Sequence, residues 1–226
     1  MRVDKIVIVA LVLLGGILFP EKGEAQTQRT FQRKDMHGQS TRVPYLRHEE
    51  YQNISLTSSS ASEKSSKQST DASLKFGQLL SLASLDEVTR RLGDPKSVER
   101  RDLPGNKFIG ILHYDGLRLE YLKTGTKEIR LRKLDISSPG WSVTINGKEL
   151  HPGMEISQLS TAVRESIKHF ERSPSDNPDV DAAAVLHVAN ATKGKSSDGL
   201  EENTRFSFRI DTTAGTIKAI GFNRLI

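Results

Sequence analysis

Two stretches of this 226-residue chain carry the same succession of patterns, and that repetition limits its possible folds more than any other feature. Leu85 to Ile136 and Ile156 to Phe222 each open with an amphipathic helical stretch and close with two alternating strands. Such self-similarity marks one supersecondary unit used twice. The closing strands agree most closely. Leu131, Leu134 and Ile136 stand at spacings of three and two, and Ile217, Ile220 and Phe222 repeat those spacings. Successive side chains of a strand point to opposite faces, so both copies change parity at the same place. A shared β-bulge accounts for the change. In the preceding strands, Leu117, Leu119 and Tyr121 answer Phe206, Phe208 and Ile210. Leu85, Val88 and Leu92 match Ile156, Leu159 and Val163 at the spacing of one buried helical stripe.

The chain divides into four parts: residues 1–25, 26–75, 76–140 and 141–226. In the first, Arg2 and Lys5 precede an apolar run from Ile6 to Phe19, then Pro20 and Gly23-Glu24-Ala25. A positive start, a short apolar segment and a small-residue site read as a secretory signal, with cleavage between Ala25 and Gln26. The 14 residues from Ile6 to Phe19 fall short of a span, which takes ~20 residues of helix. Absence of cysteine removes disulfides, thiolate metal sites and a lipidated cysteine at the cleavage point. Residues 26–75 show little periodicity, and Leu56 to Ser73 is rich in Ser, Thr, Lys and Gln. That composition points to a disordered tether, interrupted by a short apolar island at Val43-Pro44-Tyr45-Leu46 and Tyr51, Ile54 and Leu56.

Within 76–226, helix is expected from Phe76 to Leu92, with a capping box at Ser84 and Glu87 and a stop at Gly93-Asp94-Pro95. Strands are expected at Ser97 to Leu103, Lys107 to Tyr114, Leu117 to Leu122 and Glu128 to Ile136, with a two-residue turn at Asp115-Gly116. A short strand, Trp141 to Ile145, ends at the Asn146-Gly147 turn, and a second helix follows Pro152-Gly153. Further strands are expected at 168–171, 183–189, 204–210 and 216–223.

These motifs resemble the beta-lactamase-inhibitor-like fold and the related small lipoprotein subunit of outer-membrane assembly machinery. Leu92-Gly93-Asp94-Pro95 closes the first helix, Gly153-Met154 opens the second, and Trp141 to Leu150 is similar to a linker entering a second repeat. The resemblance covers residues 76–226. It implies an α+β fold of two tandem helix-loop-helix plus antiparallel β-sheet repeats, repeat 1 at 76–140 and repeat 2 at 141–226, binding protein partners through an exposed sheet face. The missing cysteines keep lactamase inhibition and assembly-machine membership from carrying over.

Charge narrows the partner. The whole chain is +5, but residues 76–226 hold 22 Lys and Arg against 20 Asp and Glu. No basic concentration or aromatic RNA-binding motif appears, which argues against nucleic acid. Arg118, Lys127, Arg130 and Arg132 fall on polar positions of adjacent strands, and with Tyr121 and Trp141 they are the candidate residues for a protein or acidic-polymer partner. No cofactor or resident metal is implied. The sequence therefore reads as an exported, non-catalytic protein-binding module. Two other readings stand beside it. One is a secreted or periplasmic hydrolase, or hydrolase accessory, using His113, Asp115 and the loop acids Asp176, Asp179 and Asp181. The other is a structural envelope component anchored in the membrane by an uncleaved N-terminus.

Overall fold

The computed structural model describes residues 29–34, 40–58, 73–125, 128–169, 182–189 and 200–224. The secretory segment, Ala25 and Gln26 among it, lies outside them, as do Lys127 and the acids Asp176, Asp179 and Asp181.

The described chain is predominantly β. Its strands are β1 (Arg29–Lys34), β2 (Ser40–Leu46), β3 (Ser55–Ser58), β4 (Ser73–Lys75), β5 (Ser81–Leu82), β6 (Ser97–Leu103), β7 (Lys107–His113), β8 (Leu117–Lys123) and β9 (Ile129–Ile136). They continue as β10 (Trp141–Ile145), β11 (Lys148–Leu150), β12 (Lys168–His169), β13 (Ala182–Ala189), β14 (Leu200–Asp211) and β15 (Thr216–Arg224). The α-helices are short: α1 (His48–Gln52), α2 (Phe76–Leu79), α3 (Leu85–Leu92) and α4 (Thr161–Glu165).

One large sheet runs β1-β2-β13-β14-β15-β9-β8-β7-β6, with β12 branching from β13 and β5 from β9. It is mixed, because β2 runs parallel to β13. A smaller sheet, β11-β10-β3-β4, packs with it around a shared core. The expected pair of helix-loop-helix units is therefore corrected. The first helical stretch breaks at β5, where Ser81 and Leu82 pair with Arg130 and Ile129. The second divides into a 3-10 turn, Ile156–Gln158, and α4. Apolar stripes of so few turns gain little as isolated helices, and sheet pairing takes part of each stretch. Ser84 caps α3 rather than a later turn of a longer helix: its Oγ accepts from Glu87 N at 3.3 Å.

The strand correspondence appears directly in the register. Leu117, Leu119 and Tyr121 face Ile136, Leu134 and Leu131, with a shift that leaves Arg132 as the extra residue. Phe206, Phe208 and Ile210 face Phe222, Ile220 and Ile217, with a shift that leaves Lys218 extra. The bulge thus falls at the same place in each hairpin. The hairpins then meet edge to edge: Leu134 pairs with Phe222, Asp135 with Gly221, and Ile136 with Ile220. Exchanging the hairpins maps these pairs onto one another, so an approximate twofold axis passes through Asp135 and Gly221.

The tether expected over 26–75 is corrected wherever that segment is described. Leu46, Tyr51, Ile54 and Leu56 are buried, β2 lengthens the large sheet, and β3 pairs with β10 and β4. Tyr51 stacks on Phe222 at 5.9 Å and meets Phe76 edge-on at 5.7 Å, while Phe76 meets Phe222 at 4.9 Å. These rings place the early segment in the core beneath the second hairpin. Apolar residues too few to form a core alone are buried here against strands distant in sequence.

Candidate partner-binding face

Strand alternation gives the large sheet two unlike faces. Leu117, Leu119, Leu131, Leu134, Phe206, Phe208, Ile220 and Phe222 point into the core. Arg118 and Glu120 on β8, Asp135 on β9 and Arg209 on β14 occupy the opposite face, where they join in one ion-pair chain. Glu120 holds two arginines: Arg118 Nη2 lies 3.0 Å from Oε2, and Arg132 Nη1 lies 3.0 Å from Oε1. Arg118 Nη1 also reaches Asp135 Oδ2 at 3.5 Å, and Arg209 approaches Asp135 Oδ1 at 3.8 Å.

Burial makes this pairing consequential. The Glu120 side chain is only 8% exposed, whereas its partners Arg118 and Arg132 are 32% and 33% exposed. A carboxylate so far from water needs opposite charge and hydrogen bonds around it. The bulge that places Arg132 beside Glu120 therefore has an electrostatic consequence as well as a geometric one. Gly221 leaves room at the centre of the face, since a Cβ there would lie 2.7 Å from Ser207 Oγ and 3.5 Å from Asp135 Oδ1. The hairpins diverge in charge at matching positions: Glu120 in the first corresponds to Arg209 in the second, and Asp135 corresponds to Gly221.

The candidate residues separate accordingly. Arg118 and Arg132 join the ion-pair chain, and Arg130 is exposed on β9 opposite Leu122 and Ser81. Tyr121 does not belong to the face. It shares the inward parity of Leu117 and Leu119, is fully buried, and its hydroxyl has no hydrogen-bond partner. Burial, chiefly, raises its phenol well above the ordinary tyrosine range. Trp141 is also corrected to a packing role: it is 7% exposed, its indole Nε1 donates to the Asp115 carbonyl at 2.9 Å, and its ring meets Tyr114 edge-on at 5.8 Å. A large aromatic with one polar handle suits such an anchor, which fastens β10 to the β7–β8 turn.

His113 and Asp115 flank Tyr114 in sequence, and each takes a different partner in space. His113 Nε2 lies 3.1 Å from Glu99 Oε1, and Asp115 pairs with Lys96 Nζ at 3.0 Å. Among the described residues no group of three or more His, Cys, Asp or Glu is placed to hold a metal ion. A separate cavity of about 620 Å³ lies beside α4, floored by Leu186 and Phe208, with Arg42, Lys148 and Glu165 among its lining.

Sequence reasoning missed Glu120, Asp135 and Arg209. Their signal is the acid-base alternation on outward positions, which becomes legible only after the bulge fixes which residues face each other. Compared with family models, curated proteins and solved structures, the chain matches none.

Proposed function

We infer that this chain is an exported, non-catalytic binding protein that holds an acidic partner, protein or polymer, against the outer face of its large sheet. The observation that carries this reading is the distribution of charge on the central strands. Among the described residues of these strands, Arg118, Arg130, Arg132, Lys133, Arg205 and Arg209 stand on this face with the acids Glu120 and Asp135, and Asp211 lies at the end of β14. The paired cations remain partly exposed, with Arg209 at 46%, so they can still contact a partner while their ion pairs fix their direction. Fixing them beforehand limits the side-chain entropy lost on binding. The secretory pattern of Arg2, Lys5, Ile6 to Phe19 and Gly23-Glu24-Ala25 supports export.

Calorimetric titration with polyglutamate at low salt, beside pull-down from envelope and culture fractions, tests this function. Arg130→Glu combined with Arg205→Glu changes two exposed positions outside the ion-pair chain. Expected is at least about a tenfold loss of affinity, growing smaller as salt rises, with an unchanged melting temperature. Undiminished binding by this double variant, or no binding to either class of acidic partner, contradicts the proposal. N-terminal sequencing of the exported form tests the location, with Gln26 expected first.

A further inference from the structure

The open edge of the large sheet at β6 has an unusual combination of surface features. All seven residues of Ser97–Leu103 are exposed, and among the described residues no strand pairs with its outer side. Such an edge presents a row of backbone N–H and C=O groups that another strand can take up. Among the described residues, the large exposed hydrophobics are Val98 at 55% and Leu103 at 37%, and both lie on this strand. Apolar exposure and unpaired backbone therefore coincide.

The order of charges identifies the occupant. Glu99 and Arg101 carry opposite signs on either side of Arg100, and within one copy they already pair, Arg101 Nη2 lying 3.3 Å from Glu99 Oε2. If an antiparallel copy is laid alongside with Arg100 facing its counterpart, Glu99 falls opposite Arg101 of the second copy and Arg101 opposite Glu99. Both belong to the parity of Ile109 and Ile111 in the β6–β7 register, so the two cross-strand pairs share one face. Cross-strand partners of opposite charge stabilise a sheet, and like charges destabilise it. The central Arg100 pair is tempered within each copy, because Arg100 Nε lies 2.9 Å from Asp102 Oδ1 and the guanidinium sits 4.3 Å over the Phe108 ring. A strand without this sign order would meet a charged edge that discourages pairing.

We propose that β6 is a self-association edge: two copies of this chain join β6 to β6, antiparallel about a twofold axis at Arg100, into one continuous sheet. The contact is isologous, each copy offering the same strand to the other. Its specificity lies in Glu99 and Arg101, and its backbone pairing is independent of the outer-face cations proposed to hold an acidic partner.

Sedimentation velocity on the full chain over a concentration series tests the proposal, with circular dichroism and melting temperature confirming the fold of each variant. The unaltered chain is expected to pass from monomer to dimer. Glu99→Arg and Arg101→Glu each place like charges opposite one another, so either alone weakens the dimer by about tenfold or more. An equimolar mixture of these two variants restores it as a heterodimer, because each supplies the sign the other lacks, and the double variant Glu99→Arg/Arg101→Glu restores it alone. A monomer at every concentration overturns the inference. A dimer indifferent to both single reversals, or a mixture that fails to associate, does the same.

Discussion

Replacing Tyr51 by alanine is the sharpest test of where the early segment belongs. Tyr51 is 2% exposed and makes ring contacts with Phe76, Phe206 and Phe222 at 5.7, 6.5 and 5.9 Å. Truncating a buried aromatic of this size removes its apolar transfer energy and leaves a cavity that neighbours fill only in part, typically at a cost of ~3–5 kcal/mol. The surrounding rings come from β14, β15 and α2, elements already constrained by pairing or core contacts, so collapse into the space is limited. Tyr51→Ala should therefore lower stability by about 3–4 kcal/mol, and the melting temperature by roughly 6–16 °C for a domain of this size. Urea unfolding followed by circular dichroism measures the first, and calorimetry the second. Gln52→Ala, the exposed neighbour in α1, serves as control and should change stability by less than about 0.5 kcal/mol. A Tyr51→Ala effect no larger than that of Gln52→Ala would refute the placement and return the segment to a tether.

Three other perturbations follow from individual sites. Tyr121→Phe removes a buried hydroxyl without a partner; urea unfolding should show no loss of stability and a gain of up to ~1 kcal/mol. Gly116 has φ of +75°, and a Cβ there would lie 2.0 Å from Ser138 Cβ, so Gly116→Ala should lower stability by about 2–4 kcal/mol in the same assay. Burial first, with Asp94 adding, pushes the Tyr114 phenol up to about 12 from an ordinary 10.0. Because the folded value exceeds the unfolded one, this contribution is intact below pH 10 and disappears as pH rises toward 12. Tyrosinate absorbance should consequently show Tyr114 resisting ionisation until the fold loosens, and Tyr114→Phe should flatten the alkaline fall in stability.

Much of the large sheet is legible in the sequence because its central strands alternate on either side of one bulge in each hairpin and its turns use residues suited to their backbone. The expected β6 to β9 meander lies within a residue or two of the observed strands, and Asn146 and Gly147 adopt φ of 52° and 76° in the β10–β11 turn. The bulge was visible as a parity change, since only an extra residue reconciles Leu131 and Leu134 on one face. The early segment was obscure for a different reason. Leu46, Tyr51, Ile54 and Leu56 follow no single period, and their burial depends on β10, β13 and the aromatic rings of the second hairpin. Helices were overestimated where local periodicity competed with pairing, as Ser81 and Leu82 show. At the proposed binding face, the arginines of the first hairpin, Arg118, Arg130 and Arg132, could be found from outward parity, but Arg209 and the acids required the cross-strand register. Tyr121 shares the parity of its apolar neighbours, and that pattern prevails over its polar hydroxyl.

Residue-resolved NMR titration of the isotopically labelled chain with polyglutamate tests the proposed recognition face most directly. The account predicts that the largest changes will cluster on the outward positions of β8, β9 and β14, at Arg118, Arg130, Lys133, Arg205 and Arg209, and fade with added salt. Changes concentrated instead on α4 and the cavity beside it, or spread without preference over the surface, would contradict it.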